Sequence, residues 1–460
     1  MMELKGKKVL VVGLGKSGLA AALFLRRRGA QVTVSDVRSA EALAKDIPAL
    51  LEEGIMVEAG GHGLLTFRRQ DLIVVSPGVP LDTPELVQVK SFGLPVIGEL
   101  ELAGRFLKGQ IVAITGSNGK TTTTTLLGEI LKEGGLPTLV GGNIGVPVVS
   151  LIDDSTDETW SVLEVSSFQL ESTQQFHPKI AVILNITPDH LDRHGTFENY
   201  ALAKERIFAA QDASDFAVLN ADNERAAQSA ARSAAKVYLF SVEHSVEQGA
   251  WLEQGFVVYR SALDAATEQI MPLSGIPLKG AHNVENVLAA VVAARLAGVP
   301  AEAIQRAVEN FRAVEHRLEY VATLNGIEFY NDSKATNVDA TAKAVAAFSK
   351  GIHLILGGKD KNSDYTQLAQ LLRERVCAVY TIGAAAAKIE SHLRGVISIH
   401  SCVTLDKAVN AAATAAHPGD VVLLAPACSS FDQFESYEHR GRVFKELVNE
   451  CRGWRDWPNS

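Results

Sequence analysis

The stretch Ile111–Thr125, IVAITGSNGKTTTTT, decides how the rest of the chain is read. An apolar run leads into a turn with two glycines, and a threonine-rich helix start follows. Ile111, Val112, Ala113 and Ile114 suit a strand buried on both faces of a parallel sheet. Gly116 and Gly119 let the backbone bend so that consecutive N–H groups face one anion. Lys120 adds a point charge for the outer phosphates, and Thr121, at the positive end of the helix, offers a hydroxyl to Mg²⁺. Gly116, Ser117, Asn118, Gly119, Lys120, Thr121 and Thr122 are thus the candidate phosphate contacts. The spacing departs from GxxxxGK[ST], because the first glycine of that pattern falls at Ile114. A plain glycine turn is the competing reading, and Lys-Thr placed directly after strand and turn argues against it.

Composition sets the outer limits. A chain of 460 residues is too long for one core, and about three domains are expected. Hydrophobic content of 47% with 21% charged residues describes an ordinary soluble protein. A net charge of -9 argues against a general nucleic-acid or membrane-surface binder, so an anionic substrate must be held by local Lys and Arg. Cys377, Cys402, Cys428 and Cys451 show no CxxC spacing, which predicts free thiols in a reducing compartment. The start, MMELKGKKVLVVGLGK, has a basic then an apolar part, but Lys16 ends the apolar run too early for a signal peptide. No run of 18 apolar residues follows, and a cytoplasmic protein is expected.

The first segment alternates strand and helix: Lys8–Val12, Ser17–Arg28, Gln31–Asp36 and Asp71–Ser76. Gly13-Leu14-Gly15-Lys16-Ser17-Gly18 fits GxGxxG after a strand, with Asp36 beyond it. The motif supports either close approach of a diphosphate to a helix N-terminus, whether of a dinucleotide or of a uridine diphosphate sugar, or tight strand-to-helix packing with no ligand. The turn at Ser76–Pro80 and the run Pro95–Gly98 place a boundary near residue 98. In the second segment the apolar strands Trp160–Val165 and Lys179–Ile186 end in polar residues, Glu164, Ser166 and Ser167 for one, Asn185, Asp189 and His190 for the other. Glu164 reads as a Mg²⁺ ligand or as a surface carboxylate, and His190 by itself as a structural histidine. Residues 215–275 read as scaffold. In the helix Gly280–Leu296, Asn283 and Asn286 share a face and either read an adenine edge or cap the helix. A third α/β segment begins near residue 312, giving candidate domains 1–98, 99–312 and 313–460.

Two motifs carry a resemblance. Thr115–Thr121 resembles the phosphate loop of the Mur ligase and folylpolyglutamate synthase superfamily. Asn331-Asp332-Ser333-Lys334-Ala335-Thr336-Asn337, with His316-Arg317 before it and Asp432-Gln433-Phe434 through Arg440-Gly441 after it, is similar to the Mur ligase family, in its D-glutamate-adding branch. The resemblance runs over nearly the whole chain. It implies an α/β fold of three domains: a Rossmann-like N-terminal sheet, a central P-loop ATPase-type domain and a Rossmann-like C-terminal domain. It also implies an ATP-dependent ligase that adds D-glutamate to UDP-N-acetylmuramoyl-L-alanine through an acyl phosphate, in peptidoglycan precursor synthesis.

The residue roles that follow are those the resemblance implies. Thr121 and Glu164 would share one Mg²⁺, and Glu164, His190 and Lys204 would surround a second, Lys204 matching a lysine that the family carbamylates. Asn283, Asn286, Arg317 and Asp332 would meet the nucleotide, with Lys120 and Arg317 clamping charge. Asn143 and His190 would face the muramoyl substrate, and Leu14, Lys16, Ser17, Val37 and Arg38 its uridine diphosphate end. Lys334, Thr336, Lys361, Ser430 and Tyr437 would shape the D-glutamate side. Tyr437 stands where the family has phenylalanine, and Lys16 and Val37 depart from its residue types. A monomer with no nucleic-acid or membrane partner is expected. A nicotinamide oxidoreductase and a phosphate-loop switch protein are the readings from other classes.

Overall fold

The computed structural model describes residues 2–143, 145–312 and 314–451, with the side chain of Cys451 outside the described part. The chain is α/β throughout, built on three sheets of mainly parallel strands. It divides into two compact units, residues 1–276 with 285–310, and residues 277–284 with 311–460.

The first unit holds two sheets. Strands β1 (Lys8–Val12), β2 (Gln31–Asp36), β3 (Met56–Ala59), β4 (Leu72–Val75) and β5 (Val96–Gly98) run parallel in the order β3-β2-β1-β4-β5. The order reverses at β1, whose carboxyl end lies beside that of β4, the position where open α/β sheets take ligands. The helix Lys16–Arg27 packs tightly there, since a Cβ on Gly18 would sit 1.9 Å from the Gly13 carbonyl oxygen.

The second sheet has nine strands: β6 (Gln110–Thr115), β7 (Thr138–Gly142), β8 (Trp160–Glu164), β9 (Ile180–Ile183), β10 (Phe216–Asn220), β11 (Lys236–Ser241), β12 (Gly249–Glu253), β13 (Phe256–Arg260) and β14 (Glu268–Pro272). Their order is β14-β13-β12-β11-β10-β9-β6-β8-β7, with only β13 and β14 antiparallel to their neighbours. Segment 215–275 therefore extends the sheet that carries the phosphate loop. Strand β6 lies between β8 and β9, which places Ile111–Thr115 in the core and brings the ends of three strands together.

The segment after β5 is fixed by two buried carboxylates. Glu101 accepts from the backbone N–H groups of Gln174, Gln175 and Phe176 and from Arg105, so a fully buried anion is saturated by four donors. Glu99 accepts from the Val149 N–H at 2.9 Å through one oxygen, while its other oxygen has no partner among the described residues.

The second unit carries β15 (Glu319–Leu324), β16 (Ile327–Asn331), β17 (Ile352–Gly357), β18 (Val376–Ile382), β19 (Ile399–Val403) and β20 (Val421–Leu424), in the order β15-β16-β20-β17-β18-β19. Only β15 is antiparallel to its neighbour. The carboxyl ends of β16, β20 and β17 are adjacent, so Asn331-Asp332, Ala425–Ser430 and Gly357–Lys361 emerge side by side. Among the described residues no helix is long and apolar enough to cross a membrane.

Candidate active site

In the first unit the chain leaves β6 at Thr115 and turns through Gly116 (φ +157°) and Gly119 (φ +86°) into the helix Lys120–Glu133. Both glycines are required. A Cβ on Gly119 would lie 2.2 Å from Asn286 Oδ1, and one on Gly116 would lie 3.0 Å from Leu184 Cβ. The loop is braced from β9, because Asn185 accepts from Asn118 N through its side chain (2.8 Å) and from Ser117 N through its backbone (2.9 Å). Ser117 Oγ donates to the Thr187 carbonyl and lies 3.0 Å from the Tyr200 hydroxyl. The Lys120 ammonium folds back to donate to the Gly116 and Ser117 carbonyls at 2.8 and 2.9 Å. Thr122 is buried in the first turn of that helix.

Glu164, at the end of β8, is 2% exposed. Its oxygens accept from the Thr121 hydroxyl (2.7 Å) and the Asn143 amide (2.8 Å). A buried carboxylate held by neutral donors beside a threonine hydroxyl is a set of hard oxygens suited to Mg²⁺. Lys204, on the helix Phe197–Glu205, is 1% exposed, donates to the Gly116 carbonyl at 2.8 Å and lies over the Tyr200 ring. Burial pushes its ammonium well below the ordinary range, Lys120 pushes the same way, and Asp189 and Glu164 oppose them. His190 adopts a left-handed φ of +52°, is half-buried and packs edge-on against Phe168. Its neighbour His194 is the buried histidine of this segment, paired with Ser167 and Glu171. The phosphate loop, Thr121, Glu164, Asn143, Lys204 and Asn286 are therefore brought together.

At the end of β2, beside the chain leaving β1, Asp36 is saturated. Its oxygens accept from the Leu14 N–H and from the Arg38 N–H and guanidinium. Burial works to raise this carboxyl, yet Arg38 and the Leu14 N–H outweigh it and bring it to about 2. A dinucleotide ribose would need that carboxylate free. Near this strand end Lys16 and Val37 are exposed and Ser17 is half-buried, and a Cβ on Gly15 would meet nothing within 4 Å.

In the second unit Asn331, fully buried, donates to His316 Nδ1 and Glu319 and accepts from the Ser333 N–H. Half-buried Asp332 is raised to about 7 by desolvation, against the pull of Arg317 and the Leu318 N–H. Lys334 lies 3.8 Å from the centre of the Tyr437 ring. Thr336 is half-buried, Ser430 is buried after β20, and Lys361 is exposed after β17. Asn283 donates to the Lys279 carbonyl at 2.7 Å, closing the start of its helix. Asn283 and Asn286, three apart, thus fall in different units.

The sequence reading assigned no role to three residues that this arrangement uses. Tyr200 braces Ser117, and its position four before Lys204 on one helix was the available signal. Arg440, fully buried, donates to the carbonyls of Ser333 and Cys428 and to the Ser333 hydroxyl, so one guanidinium gathers the loops after β16 and β20. Asp360 holds the loop after β17.

The comparisons with known proteins agree along the chain. Residues 7–98 match the Mur ligase MurD-like N-terminal domain, 114–294 the Mur ligase middle domain, and 316–428 the Mur ligase glutamate ligase domain. The UDP-N-acetylmuramoylalanine–D-glutamate ligase of Acidobacterium capsulatum is 71% identical over 459 residues, covering 100% of both chains. That of Koribacter versatilis is 60% identical over 449 residues, 98% of both. The MurF ligase of Thermotoga maritima, solved in complex with ADP, shares the fold with a TM-score of 0.60 at 18% identity, over 98% of this chain and 96% of its own. On this full-length identity, the chain belongs to the Mur ligase family, among its UDP-N-acetylmuramoylalanine–D-glutamate ligases.

Proposed function

We propose that the chain is an ATP-dependent ligase that joins D-glutamate to UDP-N-acetylmuramoyl-L-alanine by an amide bond. The observation that carries the reading is the phosphate loop set directly beside the buried Thr121–Glu164 pair and the buried Lys204. A carboxylate does not condense with an amine in water until its oxygen becomes a good leaving group, and phosphorylation supplies one. The alanyl carboxylate attacks the γ-phosphate of ATP, expels ADP and becomes an acyl phosphate. The amine of D-glutamate then attacks the acyl carbon and releases phosphate.

Gly116–Thr122 bind the ATP phosphates through backbone N–H groups, and Lys120 swings from its loop carbonyls onto the γ-phosphate. Asn286 sits against Gly119 on the nucleotide side, with Asn283, Arg317 and Asp332 as the further nucleotide contacts. Thr121, Glu164 and His190, with Lys204 once carbamylated, would hold two Mg²⁺ ions. When bound, these ions neutralise the gathered anions and stabilise the transferring phosphoryl group. Leu14, Lys16, Ser17, Val37 and Arg38 receive the uridine diphosphate end, supported by the open space over Gly15 and the rigid Asp36–Arg38 pair. Asn143 orients the muramoyl arm. Lys361 and Ser430 grip the carboxylates of D-glutamate, with Lys334, Thr336 and Tyr437 around them. The protein works as a monomer in the cytoplasm, where ATP and the nucleotide-linked substrate are found.

Phosphate release measured with each component omitted in turn tests the reading. ADP and phosphate are expected only when ATP, Mg²⁺, UDP-N-acetylmuramoyl-L-alanine and D-glutamate are all present. Sustained ATP hydrolysis without D-glutamate would instead indicate a phosphate-loop switch protein.

A further inference from the structure

The loops after β17 and β20 are hydrogen-bonded back to back. Lys359 N donates to the Ser429 carbonyl at 2.8 Å, and Ser429 N and Oγ both return to the Lys359 carbonyl. The next residue, Asp360, is a hub. Its Oδ1 accepts from the Tyr365 hydroxyl (2.8 Å) and the Ser363 N–H (3.1 Å), and its Oδ2 from Lys388 Nζ (2.7 Å). Asn362 takes a left-handed φ of +63°, which turns the chain so that Ser363 can reach back. Tyr365 is fully buried, and its oxygen lies 3.0 Å from Cys428 Sγ. With the tyrosine proton given to Asp360, that oxygen accepts from the thiol. Burial pushes the Cys428 thiol up to about 11, so it keeps its proton at neutral pH.

The result is a chain of donors, Cys428 to Tyr365 to Asp360, closed by Lys388 from the helix Ala386–His392. Asp360 directly precedes Lys361, and Cys428 stands two residues before Ser430. Neither Lys361, exposed on its loop, nor Ser430 lies within a strand; the Lys359–Ser429 pair joins their loops, and the bonds through Asp360, Tyr365 and Cys428 tie the chain together one residue before Lys361 and two before Ser430. We propose that Asp360, acting through Tyr365, is a positioning residue that fixes the separation of Lys361 and Ser430 and so the fit of D-glutamate. The proposal rests on the reading that these two residues grip that substrate.

Steady-state kinetics on the full chain test it, with Tyr365→Phe, Asp360→Asn, the double variant, and Lys361→Ala as reference. Tyr365→Phe removes one hydroxyl and keeps the buried ring. Each single variant is expected to raise KM for D-glutamate about tenfold while leaving KM for ATP and for UDP-N-acetylmuramoyl-L-alanine within about twofold. The double variant is expected to be no worse than the worse single one, because both act through one chain of bonds. If Lys361→Ala leaves KM for D-glutamate unchanged, the substrate reading fails and the positioning role with it. If Lys361→Ala raises it but Tyr365→Phe and Asp360→Asn do not, the positioning role alone is overturned. A parallel rise in all three constants, or a fall in the thermal midpoint accompanying it, makes the network scaffold and also overturns the proposal.

Discussion

Lys204 and Glu99 are both buried ionisable groups, and burial acts on them in opposite senses. For Lys204 desolvation favours the neutral amine, the form that captures carbon dioxide, and a carbamate formed there would be an oxygen ligand suited to Mg²⁺. Lys204→Ala is therefore expected to be nearly inactive, and acetate at high concentration should restore part of the rate where an added amine does not. Full activity of that variant would remove Lys204 from the mechanism. For Glu99 desolvation favours the protonated acid and raises its pKa to about 7, against the hydrogen bonds from Val149 and Val148. A carboxyl whose folded pKa is raised contributes full stability below its unfolded value near 4.5, and that contribution is lost as pH climbs to about 7. The penalty at pH 8 is about 3 kcal/mol. Glu99→Gln cannot ionise, so its thermal midpoint should exceed that of the parent at pH 8 and the gap should close toward pH 5. A difference independent of pH would show that ionisation of Glu99 is not what costs stability.

At the level of elements, the phosphate loop shows what a sequence makes legible. Strand, two glycines, Lys120 and Thr121 are neighbours in the chain, so their chemistry reads directly. The apolar runs of β1, β6, β9 and β20 read equally well, because a strand buried on both faces needs an uninterrupted apolar run. The braces do not read. Asn185 on Asn118, Tyr200 on Ser117 and Glu101 on Gln174–Phe176 join residues far apart in sequence, and a polar residue beside a turn looks the same with or without such a partner. Helix Gly280–Leu296 was legible as a helix, but its asparagines separate into two units, which spacing alone does not reveal. Gly119 tests the loop as an element. An alanine there incurs roughly 1–2 kcal/mol for the left-handed backbone and displaces Asn286. Gly119→Ala is expected to raise KM for ATP at least about tenfold, with a smaller change in KM for D-glutamate. Equal changes in both would mean that the loop does not face the nucleotide.

Over the whole molecule, the candidate site residues gather where open sheets bind ligands, at the carboxyl ends of β1, of β6, β8 and β9, and of β16, β17 and β20. The alternation of strand and helix made three α/β segments legible, and the NDSKATN motif selected the branch of the family. Strand order was not legible, and it is strand order that sets Ser333, Gly357 and Cys428 side by side for Arg440 to hold. The same order lets Asp360 act on both Lys361 and Ser430. The central claim is that the alanyl carboxylate is itself phosphorylated before the amide forms. Its most direct test uses UDP-N-acetylmuramoyl-L-alanine with ¹⁸O in the carboxylate and follows the label by mass spectrometry of the released phosphate. An acyl phosphate requires one ¹⁸O from each substrate molecule to appear in inorganic phosphate. Phosphate free of ¹⁸O, or label recovered in AMP, would contradict the account.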